Sequence, residues 1–150
     1  MNITIFIIMA LLAGLCDRLG GIKYTKIRDF GVPLCSIVAL YALGITVSWW
    51  IYIVYFVLAF ASHTTYFDHW GSDGVDFWEW VLTGFFRGFS ALPIAVVTGC
   101  WIGFILRCFV LAAFMPFSNK LQLKIFKDKT DGVEGSRGVM FILTLPLLLI

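Results

Sequence analysis

Charge is what this chain has least of. Asp, Glu, Lys and Arg make up 13% of its 150 residues and hydrophobic residues 61%, where soluble domains carry about 25% and about 45–50%. That scarcity excludes a water-soluble globule, because too few polar side chains exist to cover an apolar core. Proline is also sparse, with four residues, and no repeat or low-complexity tract divides a length suited to one domain. Signatures of phosphate-cradling and hydrolytic chemistry are missing as well: the sequence holds no GxxxxGK[ST], GxSxG or HExxH and no Cys–His arrangement. The four cysteines, Cys16, Cys35, Cys100 and Cys108, sit in or beside apolar segments without ligand spacing, and read as small hydrophobes. No cofactor is expected.

What charge there is follows a pattern. Ten of the eleven basic residues fall in or beside residues 18–28 and 107–137, and between Gly31 and Leu106 the one basic residue is Arg87. The acids of that middle stretch crowd into Asp68–Glu79. Cytoplasmic loops of membrane proteins retain Lys and Arg, so the basic segments are expected on the cytoplasmic side of a cytoplasmic (inner) membrane. Both termini are then expected outside.

The fold class expected is an all-α integral membrane protein in a single domain. About four transmembrane helices are predicted, over residues 3–16, 32–62, 88–115 and 138–150, with an outer interfacial amphipathic helix at 76–87. The first run is short for a hydrocarbon core of about 30 Å. The second is long, and nothing polar interrupts Ser48-Trp49-Trp50, so one tilted span bent near Gly44 is favoured over two short crossings. Arg87 and Arg107 frame an uncharged stretch of roughly one bilayer thickness, which predicts that they snorkel to opposite interfaces.

Four constellations are candidates for function. Around Gly20 and Gly21 stand Arg18, Lys23, Lys26 and Arg28, an arrangement that suits an anion or phosphate approached by backbone N–H groups; the plainer alternative is a positive-inside loop with local Arg–Asp pairs. Arg137, with Glu134 three residues before it, is expected to join this set, and Asp17, Asp29 and Glu134 are the partner acids. On the outer side, His63, Asp68, His69 and Asp73, with Asp76 and Glu79, are weak candidates for a metal, against the simpler reading of a solvated loop and helix caps. Finally, Gly84, Gly88, Ala91, Ala95, Gly99 and Gly103 recur in steps of three or four. Such a stripe packs helices closely in lipid, within one chain or between copies.

The run Leu12–Gly21, with its Arg-x-Gly-Gly turn after a short first span, followed by Arg28-Asp-Phe-Gly-Val-Pro33, resembles small multi-span membrane proteins encoded by phages and prophages. The resemblance covers the first 35 or so residues and implies no particular activity, so no functional residues carry over. The function expected is a binding or interaction role at the membrane with a cytoplasmic-side site for an anion or lipid phosphate. Anionic membrane lipids are the expected ligands, a homo-oligomer the expected assembly, and a second membrane protein a further possible partner; no nucleic acid is expected. The alternatives are a small oligomeric channel or transporter and a membrane enzyme acting on a lipid phosphate. An enzyme is disfavoured because no nucleophile or metal set accompanies the basic loops.

Overall fold

The computed structural model describes residues 1–22, 25–64, 77–126 and 134–150, with the side chains of residues 21, 22, 25, 119–126 and 134 outside that description. Every regular element among the described residues is helical. Helix α1 (Ile3–Ile22) begins at Asn2, whose side-chain oxygen accepts the Ile5 N–H at 3.2 Å and satisfies one of the orphan donors of the first turn. It continues six residues beyond the expected end at 16, through the Gly20-Gly21 pair. Helix α2 (Thr25–Ala42) runs back beside it. The Asn2 N–H donates to Ala42 O at 2.6 Å at one end of the pair, and Gly20 lies against the Arg28 Cβ at the other.

The expected single span over 32–62 is not what forms. Helix α2 stops at Ala42, Gly44 takes a left-handed φ of 83°, and α3 (Trp49–His63) returns along α2. The ring of Phe30, near the start of α2, lies 4.8 Å from that of Phe60, near the end of α3, and Tyr52 donates to Ile45 O at the turn. One glycine free to adopt positive φ is therefore enough to reverse an uninterrupted apolar run. The consequence is that Thr64 lies at the same end of the bundle as Arg28.

A second reversal replaces the expected span over 88–115. Helix α4 (Phe77–Phe89) bends by 41° into α5 (Leu92–Thr98), with Pro93 in the first turn of α5. Gly99, with φ of 76°, caps α5, and α6 (Trp101–Phe126) then runs antiparallel to α4. Residues 77–87 are thus the first half of a bent pass through the bundle rather than a separate interfacial helix. Their buried face (Trp80, Thr83, Gly84, Arg87 and Gly88) packs on α6. Helix α6 continues through Pro116, where the sequence suggests a stop.

The chain closes with α7 (Glu134–Leu143) and a 3₁₀ turn at Leu145–Leu149 that opens at Pro146. Helix α7 lies against α1 because glycines meet there: a Cβ on Gly135 would sit 2.9 Å from Gly14 O, and one on Gly138 would sit 2.8 Å from the Asp17 Cβ. The described residues therefore make six passes along the bundle, and both termini lie at the end that carries Gly44 and Gly99. The opposite end is called the loop end below.

Among the described residues, two helices, around Ile3–Gly20 and Trp101–Ser118, are long and apolar enough to cross a membrane, and a third if the bent α4–α5 pair counts as one span. Large apolar side chains cover the outside of the bundle. Tyr41, Trp49, Trp50 and Trp101 gather at the terminal end and Phe77 and Trp78 at the loop end, the distribution of aromatic residues at bilayer interfaces.

Candidate anion site

Among the described residues, five charged side chains are buried in the bundle: Asp17, Arg28, Asp29, Arg87 and Arg107. Burial of ionised groups is costly unless each finds partners. The polar end of α1 carries Asp17, only 3% exposed, toward α7. There its Oδ2 accepts the Gly138 N–H at 2.8 Å, a bond possible because Gly138 brings the α7 backbone against α1. The guanidinium groups of Arg87 on α4, Arg137 on α7 and Arg28 on α2 all act electrostatically on this carboxylate. Four helices thus contribute to one charged cluster.

Each arginine is held by its own neighbours. Arg28 donates through Nε and Nη2 to Asp29 Oδ1, both at 3.1 Å. Arg87 is 2% exposed, with its Nη1 3.9 Å from the Met115 sulfur. Arg137 stacks over the Trp80 ring with its Cζ 4.4 Å from the centroid, a cation–π contact that ties α7 to α4. His63 completes the cluster from α3. Its Nδ1 lies 2.8 Å from Ala59 O, and a carbonyl only accepts, so Nδ1 carries the proton and Nε2 is left with no hydrogen-bond partner.

Several expected site residues stand elsewhere. Gly20 and Gly21 are helical, so their N–H groups are used along α1 rather than offered to an anion; Gly20 instead lets α2 approach at Arg28. Arg18 and Lys26 are exposed outside the cluster, while Arg28, Arg137, Asp17 and Asp29 lie at the same end of the bundle, Arg28 paired with Asp29 and Arg137 within electrostatic range of Asp17. Lys23 and the Glu134 side chain lie outside the described residues. So do Asp68, His69, Asp73 and Asp76, and among the described residues no group of three His, Cys, Asp or Glu side chains has metal-binding geometry. His63 belongs to the buried cluster rather than to an outer loop.

The small-residue stripe is divided among three helices. Gly84 lies against Leu111 O, and a Cβ on Gly88 would stand 2.6 Å from the Cys108 Cα; both contacts join α4 to α6. Gly103 lies against Leu147 O, Ala91 and Ala95 are buried in the core, and Gly99 is an exposed left-handed cap. These contacts fall within one chain, so the stripe no longer argues for self-association.

The largest departure concerns Arg87 and Arg107. Because the chain reverses at Gly99, the two lie on adjacent antiparallel helices, and neither snorkels to an interface. Arg107 is completely buried; its Nη1 donates to Phe141 O at 3.0 Å and to Thr144 Oγ1 at 2.8 Å, and its Cζ lies 4.6 Å over the Phe141 ring. The same ring meets that of His63 in a T-shaped contact, with centroids 4.8 Å apart. Phe141 therefore touches both the charged layer at the loop end and a second polar layer around Arg107, Thr144 and Tyr55. A signal for this existed in the sequence: Arg137, Phe141, Thr144 and Leu148 recur in steps of four, three and four, which puts them on one helical face.

Comparison of the chain with protein-family models, with curated proteins and with solved structures gives no match.

Proposed function

We propose that this protein is a small integral membrane protein of the cytoplasmic membrane that binds an anionic, phosphate-bearing group at the loop end of its bundle. Arg28, Arg87 and Arg137 are the cationic contacts, with Asp17 orienting them and the unprotonated Nε2 of His63 open to accept from a headgroup hydroxyl. The observation that carries this reading is the burial of Asp17 within electrostatic range of guanidinium groups from α4, α7 and α2. Ionisable residues among apolar helices are expensive, and function is the default explanation for their presence. Arginine is also the side chain whose planar fork matches a phosphate. The positive-inside pattern puts the loop end on the cytoplasmic side, where anionic headgroups are abundant. A headgroup arriving there first meets Arg18 and Lys26, both exposed.

The test is lipid retention. Protein reconstituted in nanodiscs of mixed phosphatidylcholine and phosphatidylglycerol, then released into detergent for native mass spectrometry, is expected to keep phosphatidylglycerol preferentially. Arg28→Ala and Arg137→Ala are expected to lower that retention at least fivefold. Equal retention of both lipids by the wild type, or unchanged retention by the variants, would overturn the reading.

A further inference from the structure

The second polar layer points to a different ligand. Arg107 is enclosed, and its Nη1 is fully used by Phe141 O and Thr144 Oγ1. The remaining edge of the guanidinium, formed by Nε and Nη2, has no hydrogen-bond partner on either nitrogen. This is the edge with two parallel N–H vectors that takes an anion side-on, and it is the edge Arg28 turns to Asp29. No carboxylate among the described residues pairs with Arg107.

Tyr55 on α3 is completely buried within electrostatic reach of Arg107, and no partner meets its hydroxyl at full hydrogen-bond geometry. Ser36 stands beside it with its own hydroxyl donating to Pro33 O at 2.6 Å, so that it can accept from Tyr55 but not donate to it. The open guanidinium edge and the phenol thus share one apolar layer, and a buried donor without an acceptor is destabilising, most of all when charged.

We propose that the Nε–Nη2 edge of Arg107, with the Tyr55 hydroxyl, binds a small monovalent anion of chloride size inside the bundle. One negative charge neutralises the buried guanidinium, and one acceptor satisfies all three donors. The surroundings select for size and hydration: Tyr55, Arg107 and Phe141 are all closed to solvent, so the ion must shed its water, which chloride or bromide does far more readily than phosphate. The site is distinct from the headgroup cluster, which Arg107 joins through none of its hydrogen bonds.

Thermal unfolding in detergent, titrated with bromide against gluconate at constant ionic strength, tests the proposal. The midpoint is expected to climb by about 3–6 °C for each tenfold rise in bromide above the dissociation constant, with chloride acting alike and phosphate without effect. Arg107→Gln and Tyr55→Phe are expected to flatten the bromide response, while Arg137→Ala retains it even where phosphatidylglycerol retention is lost. A wild-type midpoint indifferent to bromide would overturn the proposal, as would an undiminished response in Tyr55→Phe together with Arg107→Gln. If Arg107→Gln does not fold, crystals grown in bromide decide: an anomalous peak on the Nε–Nη2 edge is the expected result, and none at saturating bromide refutes the site.

Discussion

Asp17→Asn removes one negative charge from the centre of the loop-end cluster while leaving its shape nearly intact. Asparagine keeps an oxygen that can accept the Gly138 N–H, now held at 2.8 Å, so the substitution isolates the charge. What remains is the interaction of the carboxylate with Arg87, Arg137 and Arg28. Removing one member of a buried charged set costs about 3–5 kcal/mol, because the partners stay buried and uncompensated. Retention of the Gly138 bond and remaining access of Arg137 to other neighbours argue for the lower figure, about 3 kcal/mol. At this chain length that lowers the unfolding midpoint by roughly 6–12 °C. Asp17→Ala loses the backbone bond too, and is expected to fall by about a further 1.5–3 kcal/mol.

The assay is unfolding in detergent followed by tryptophan fluorescence, with a double-mutant cycle against Arg137→Gln. If Asp17 holds the cluster together through charge, the second substitution relieves part of the damage done by the first, with a coupling of about 1–3 kcal/mol. An Asp17→Asn midpoint within 1 °C of the wild type, or strictly additive effects in the cycle, would refute the electrostatic account of how α1, α4 and α7 are joined.

Two further predictions address the architecture. With the four native cysteines replaced, single cysteines at Lys26 and Thr64 are expected to be labelled from the same side of the membrane and one at Thr46 from the other; opposite labelling of Lys26 and Thr64 would restore a single span over 32–62. Gly88→Ala gains about 1 kcal/mol of helix propensity but drives a Cβ to 2.6 Å from the Cys108 Cα, for a net loss of about 1–2 kcal/mol, whereas Gly88→Leu is expected to prevent packing of α4 on α6. A Gly88→Leu protein as stable as the wild type would mean that the two backbones do not approach as described.

Much of the architecture was legible in composition. An all-helical chain suited to a membrane follows from 61% hydrophobic residues and little charge, and the local pair of Arg28 with Asp29 follows from their adjacency, whereas the approach of Arg137 to Asp17 depends on how α7 packs on α1. The reversals at Gly44 and Gly99 were not legible, because a left-handed glycine turn needs neither proline nor charge to mark it, and apolar residues line both sides. Those two turns decide everything downstream. They bring α3 and His63 back to the loop end, and they convert the interval from Arg87 to Arg107 from a membrane thickness into a hairpin. The Gly20-Gly21 pair misled in the opposite sense. Adjacent glycines suggest a turn, but at a helix crossing they serve close approach, and only the partner's position at Arg28 distinguishes the two uses.

The two polar layers differ in a way that bears on what each can do. The loop-end layer contains its own acids: Asp17 sits among three arginines, and Asp29 occupies the fork of Arg28. Such a layer is stable without a ligand, and a phosphate that enters must compete with those carboxylates, which favours reversible binding at an accessible face. The deeper layer has no acid of its own among the described residues, and the Phe141 ring touches both Arg107 and His63. An anion there meets no internal competitor, and movement of that ring is the expected release step. Slow exchange at Arg107 and fast exchange at Arg28 and Arg137 are therefore expected in one molecule. Substituting Phe141 with alanine should speed bromide exchange at least tenfold while leaving phosphatidylglycerol retention unchanged. Bromide exchange at the same rate with and without the ring, measured by stopped-flow fluorescence, would mean that the deep layer opens by another path.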